Sequence, residues 1–313
     1  MKNMKIYQSL PSLFTLILLG FIWGTGYSIA RFAMTNGVSP LGYSFWQSLG
    51  PALVIGTLSL FRTPLLTITH SHLRYYFICG LTGIVIPNTT MYFAAPHLPA
   101  GILAMVVNIV PVIAYPLALM AKLETFNFQR ITGIALAIAG LLFIMLPKSS
   151  LPSPEMAPWV TFTLIAPFSF AICSIYIARY RPEKSTISSL TAGMLIASSL
   201  ILAPFVFFSH HFYSFHFPFT LPDWIILLEI VLSSIGYLLL FKLIKIAGPV
   251  YFSLVDTIVV LTGLFWGNLI FHEQLNKWTG SAVLMILFAL LLVTQQQRKA
   301  VKLQSVMGEV NSG

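Results

Sequence analysis

Ten apolar runs of roughly 17 to 25 residues, the length that carries a helix across a bilayer, follow one another along a chain of 313 residues. They occupy 12–30, 41–61, 75–95, 100–121, 130–146, 159–178, 190–208, 224–243, 249–271 and 278–294. Charged residues make up 8% of the chain and hydrophobic ones 57%, more apolar surface than a soluble fold of this length can bury. The sequence therefore predicts an all-α integral membrane protein with ten transmembrane helices, whose first partner is the lipid bilayer. The run after Pro11 reads as a retained helix, because no small-residue cleavage site follows it.

Charge sets the orientation. With a cytoplasmic N-terminus, the inner segments hold 14 basic residues: Lys2, Lys5, Arg62, Arg74, Lys122, Arg130, Arg179, Arg181, Lys184, Lys242, Lys245, Arg298, Lys299 and Lys302. The outer segments hold 3, namely Arg31, Lys148 and Lys277. Cytoplasmic loops are the Lys- and Arg-rich ones, so both termini are expected in the cytoplasm, in a multi-pass protein of the cytoplasmic (inner) membrane. The net charge of +9 does not indicate nucleic acid, since these residues never gather on one soluble face. Cys79 and Cys173 lie inside apolar runs as small hydrophobes and indicate no disulfide framework.

A helical hairpin is written twice. PHLPAGILAMVVNIVPVIAYPLALMAKLE (96–124) returns as KIAGPVYFSLVDTIVVLTGLFWGNLIFHE (245–273), 149 residues later, with Glu124 on Glu273 and Asn108 on Thr257. This divides the chain into a five-helix repeat at 11–147, a Pro- and Ser-rich linker at 148–158, a second repeat at 159–295 and a cytoplasmic tail at 296–313. Five helices is an odd number, so the second half enters the membrane inverted. Inverted repeats are how many secondary carriers open a midplane site to each side in turn.

Several landmarks then occur in order. A Trp-Gly sits early in the first helix (LLGFIWGTGYSIAR), an Ala-Gly opens the fourth, and Pro111 lies thirteen residues before Glu124. A Thr-Gly follows each glutamate, at Thr132-Gly133 and Thr279-Gly280. This pattern resembles the EamA-type carriers of the drug/metabolite transporter superfamily from about Leu13 to Val293. The resemblance implies a secondary carrier without cofactors. Its expected substrate is a small organic metabolite, such as an amino acid or related amphiphile, and its expected direction is export. The basic residue the family often carries at the end of the first helix is here Arg31. Val260 replaces proline at the second-half position of Pro111, and Asp256 has no acidic counterpart in the first half.

An ionisable side chain within a membrane helix normally faces the bundle interior or a wet cavity. Asp256 is the leading candidate, to bind a substrate amine or exchange a proton; the alternative is a structural acid held by a neighbouring helix or by Lys242 and Lys245. Glu229, five residues after Trp224, is expected shallower, where it could snorkel to the interface. Arg31 could attract an anionic group or simply suit the helix dipole. Pro87 removes a backbone donor beside Asn88, Thr89 and Thr90, and the repeat lays it on Gly236, next to Ser233 and Ser234; two interrupted helices at matching places point to a binding site. Asn108 and its counterpart Thr257 complete the polar set. Trp23, Trp46, Tyr92, Tyr115 and Trp266 are candidates for an aromatic wall, although each could equally pack or anchor at the interface. Glu124 and Glu273 are expected to be scaffold, accepting hydrogen bonds from the first amides of the following helix.

Rival classes are weaker. HEQLN at 272–276 begins a zinc-protease pattern but ends in Asn276 where a histidine is needed, and no G-x-S-x-G or P-loop is present, so the chain is not expected to be an enzyme. His210, His211 and His216 are embedded among Phe and Tyr, as an interfacial segment would be, and no metal is expected. No channel-type filter or charge ring is present, which leaves a passive channel or facilitator as the alternative to a carrier. The sequence leaves monomer and homodimer equally open.

Overall fold

The computed structural model describes residues 2–60, 66–145, 153–182, 185–247, 252, 255–273, 277–278, 280–289 and 292. Part of the expected linker and the whole of the expected tail at 296–313 lie outside these residues. The described chain is helical: α1 (Lys2–Thr35), α2 (Pro40–Leu60), α3 (His70–Gly80), a π-helical turn (Leu81–Val85), α4 (Ile86–Ala94), α5 (Ala100–Val107), α6 (Val110–Met120), α7 (Phe128–Met145), α8 (Ala157–Thr163), α9 (Ile165–Tyr180), α10 (Ile187–Phe208), α11 (Leu221–Ala247) and α12 (Val255–Phe271). A last apolar helix, α13, covers Gly280–Ala289. Among the described residues, 6 helical stretches are long and apolar enough to cross a membrane: Pro11–Thr35, His70–Ala94, Ala100–Met120, Ala157–Tyr180, Ile187–Phe208 and Leu221–Leu240. Phe128–Phe143, Val255–Phe271 and Gly280–Ala289 are apolar but shorter.

Helix ends follow local chemistry. Thr69 and Thr186 cap α3 and α10, their hydroxyls accepting from His72 N at 3.4 Å and Ser189 N at 3.2 Å. Three runs expected to be continuous are divided near prolines. The π turn precedes Pro87, α5 gives way to α6 at Asn108 just before Pro111, and α8 gives way to α9 just before Pro167. Each proline lacks the N–H that would close the preceding turn.

Gly236 does not match this behaviour. The expected interruption there is absent, because α11 runs unbroken from Leu221 to Ala247 and Gly236 keeps its N–H. The glycine serves space instead: a Cβ would stand 2.5 Å from Trp23 Nε1, so the indole of α1 lies directly against the α11 backbone.

The two ends of the chain interleave. α1 packs along both α11 and α12, α2 along α10 and α11, α4 along α9, and α5 along α12. All eight residues of α5 are buried. The aromatic loop before α11 is fixed over α2: Ser39 Oγ donates to His211 O (2.9 Å) and Trp46 Nε1 donates to Tyr213 O (2.9 Å). Asp223, fully buried in the first turn of α11, accepts from Thr220 N (2.7 Å), His216 N (3.2 Å) and Tyr213 Oη (2.9 Å), in the manner of a capping box.

Candidate functional site

Helical spacing gathers polar groups at the centre of the bundle. On α1, Ile22, Trp23, Gly26 and Tyr27 share one face; on α11, Glu229, Ser233 and Tyr237 stand one turn apart. These faces meet α4, α9 and α12 around a cavity of about 430 Å³. Gln47, Asn88, Tyr92, Asn108 and Asp256 also line it. It holds two carboxylates, and no Lys, Arg or His is found among its described lining residues.

Around Glu229 the donors run in one direction. Asn88 Nδ2 donates to Gln47 Oε1 (2.8 Å), Gln47 Nε2 to Ser233 Oγ (3.5 Å), and Ser233 Oγ to Glu229 Oε1 (2.8 Å). A relay of donors ending on an acceptor suits an ionised carboxylate. Glu229 is 6% exposed, and its Oε2 has no hydrogen-bond partner among the described residues. The side chain therefore does not snorkel outward as expected: it is buried, with Gln47 and Tyr43 of α2 and Ser233 of its own helix as polar neighbours.

The second polar centre is Asn108, whose Nδ2 donates to Tyr27 Oη (2.9 Å) and to Ala104 O (2.7 Å). Tyr27 keeps its own proton to donate. Asp256 lines the cavity with no described residue paired to it. Lys242 is exposed and forms no ion pair with Asp256, and the side chain of Lys245 lies outside the described residues.

Other expected site residues face elsewhere. Ser234 Oγ donates to Ile230 O (2.6 Å) within its own helix, and Thr257 Oγ1 is buried away from the cavity. Trp266 Nε1 donates to Thr25 Oγ1 (2.9 Å) and its ring meets Phe21 and Phe265. Trp46, on α2, packs against the loop before α11, and Tyr115 Oη donates to Thr125 O (2.8 Å) and accepts from Asn127 N (2.7 Å) at the α6–α7 turn. Of the five proposed wall residues, Trp23 and Tyr92 remain. An aromatic residue on a membrane helix fits lipid, core or cavity equally well, so spacing alone did not separate them.

Arg31 is likewise removed from the cavity. It forms an ion pair with Glu273, and its guanidinium lies 4.4 Å from the centre of the Phe271 ring. Glu273 also accepts from Ala100 N (2.8 Å) and Gly101 N (3.3 Å), the opening amides of α5. It thus caps a helix from the other half of the chain, because α12 ends beside the start of α5; residues 274–276, which lead into the helix that follows Glu273, lie outside the described residues. Glu124 caps no described helix; it pairs with Arg130 at 3.1 Å. Arg130, 3% exposed, lies over the Tyr115 ring at 4.8 Å. Glu124→Gln would leave this guanidinium buried without its counter-ion. The variant is expected to cut the yield of folded protein more than the ligand affinity of what survives; full yield with lost affinity would contradict that.

Gln47, Gly26, Tyr27 and Tyr237 complete the cavity without having been expected. Gln47 is the sole amide or acid in its apolar run, the kind of solitary polar residue that signals an interior position.

The EamA-like transporter family model matches residues 10–146 and 157–295 of this chain. Protein PecM of Dickeya dadantii (strain 3937) is 25% identical over 295 residues, covering 90% of this chain and 93% of that protein. The uncharacterized inner membrane transporter YedA of Escherichia coli (strain K12) is 26% identical over 299 residues, covering 93% of each. A solved crystal structure with 15% identity aligns at a TM-score of 0.59 over 91% of this chain and 98% of its own, a likeness of fold alone.

Proposed function

Because the chain belongs to the EamA-like transporter family, we propose that it is a secondary active transporter that exports a small organic metabolite, an amino acid or related amphiphile, by alternating access. The observation that carries this reading is the central cavity of about 430 Å³, to which helices from both ends of the chain contribute polar side chains. A cavity at the junction of two halves is the place where rocking exposes a site to either side. The reading takes ten membrane passes in two inverted five-helix repeats, 11–147 and 159–295, joined by a linker at 148–158 and followed by a tail at 296–313. YedA is described as an inner membrane transporter, and we place this chain in the same kind of membrane with both termini cytoplasmic, on the division of basic residues. It acts without a cofactor and as a monomer or homodimer.

Asp256 is assigned to proton coupling. It is an ionisable group on a membrane helix, it faces the cavity, and no described residue neutralises it. The other titratable groups around the cavity are Glu229, Tyr27, Tyr92, Tyr237 and Cys173. Purified protein screened by thermal shift against amino acids, nucleosides, sugars and organic cations is expected to be stabilised by at least one of them. In proteoliposomes, flux of that compound is expected to saturate and to respond to an imposed pH gradient, and Asp256→Asn is expected to abolish the response. Flux insensitive to both the variant and the gradient removes the coupling role; flux that never saturates removes the carrier.

A further inference from the structure

Two carboxylates in a cavity without a described cation need neutralising from outside the protein whenever the cavity closes. Arg31 and Arg130 are unavailable, being held by Glu273 and Glu124. An anionic solute would add to the charge imbalance. A cationic one would relieve it.

The Glu229 carboxylate is prepared to receive such a group. Oε1 is filled by Ser233, while Oε2 makes no bond of full hydrogen-bond geometry and has the buried Tyr43 hydroxyl as the donor beside it. Across from it the α1 surface is notched by Gly26, where a Cβ would stand 3.8 Å from both carboxylate oxygens. A methyl group fits there without clash, so the glycine is not required by packing. Empty, the notch admits a small donor to hydrogen-bonding distance of Oε2, about 2.8 Å for an ammonium. Toward the inner end of the same groove, Trp23 stands within one turn of Gly26 on α1, whereas Tyr237 stands two turns beyond Glu229 on α11. One helical turn spans about 5.4 Å, close to the reach from an amine nitrogen to a ring two carbons away.

Resting on the carrier reading above, we propose that the notch between Gly26 and Glu229 is an ammonium-binding site and that the transported solute is a primary arylalkylamine, with its ring against Trp23. Asp256 then stays free for the counter-transported proton. Glu229 and Gly26 thereby fix specificity: one attracts the charge and the other leaves room for it.

Isothermal titration of the purified full-length protein with 2-phenylethylamine and with 2-phenylethanol, which replaces the ammonium by a hydroxyl of similar size, tests the assignment. The amine is expected to bind at least tenfold more tightly than the alcohol, and Glu229→Gln and Gly26→Ala are each expected to erase that preference. Gly26→Ala keeps the carboxylate and its donors intact and suits a helix, so it remains informative should Glu229→Gln fail to fold. Three outcomes overturn the proposal: equal binding of the two probes or none by wild type, a preference surviving in both variants, or a preference lost only in Asp256→Asn. Proteoliposome flux separates the two readings. Saturable transport of a neutral or anionic solute without amine binding sinks the amine site and leaves the carrier, whereas amine binding without flux does the reverse.

Discussion

Glu273→Ala is expected to leave little folded protein in the membrane. One carboxylate ties together the end of α1 through Arg31, the start of α5 through Ala100 and Gly101, and the end of α12 on which it stands. Arg31 and Glu273 are 20% and 14% exposed, so solvent reaches the pair only at its edge. Removing one member of a largely buried pair costs about 3–5 kcal/mol. The two α5 amides would lose their acceptor as well, worth about 1 kcal/mol at a helix start. Together these are expected to lower the melting temperature in detergent by on the order of 10 °C. Glu273→Gln retains an acceptor for the amides and should fall between wild type and alanine. Unchanged melting in the alanine variant would show that the clamp does not hold the bundle together.

That clamp was only half legible in the sequence. The recurrence of Glu124 and Glu273 marked them as scaffold, since a fold constraint applies to both halves alike. Which helix each serves depends on spatial neighbours, and α12 ends beside α5, 172 residues away in sequence. Six of the ten expected runs correspond to described helical stretches long and apolar enough to cross a membrane, yet the divisions within them were not equally readable. Pro87, Pro111 and Pro167 remove donors and coincide with changes of helical geometry, whereas Gly236 keeps its N–H and leaves α11 continuous. Repeat alignment alone suggested that the two positions behave alike. They do not, because a missing side chain and a missing N–H have different consequences.

For the cavity the sequence identified chemical types better than directions. Asp256, Asn88, Asn108 and Ser233 line one cavity, since a polar group is costly against lipid. Glu229 was expected at an interface because its position was counted along one helix, while its polar neighbours Tyr43 and Gln47 come from α2. Gly26 was invisible: its role is the space opposite Glu229, and space carries no signature in a single sequence.

Gly24→Ala is the second substitution expected to act strongly, and for a different physical reason. Gly20 and Gly24 form a G-x-x-x-G pair on α1, the spacing that lets membrane helices touch through their backbones. A Cβ at Gly24 would stand 2.5 Å from Thr262 Cβ and 2.7 Å from Val259 O; one at Gly20 would stand 2.5 Å from Ile258 Cβ. The Val259 carbonyl belongs to the α12 backbone and cannot rotate away, so the helices must separate. Overpacking of this kind costs about 1–3 kcal/mol, less than the loss of the Glu273 clamp. Its effect on function should nevertheless be larger. α1 carries Trp23, Gly26 and Tyr27, and α12 carries Asp256 and Val259, so the contact that glycine permits also sets the distance between two walls of the cavity. Gly24→Ala is therefore expected to lower melting temperature and ligand affinity together. Glu273→Ala, acting away from the cavity, should lower stability while the surviving fraction binds normally. A Gly24→Ala protein that melts and binds like wild type would mean that α1 and α12 are not in backbone contact, and the arrangement of Asp256 opposite α1 would then have to be abandoned with it.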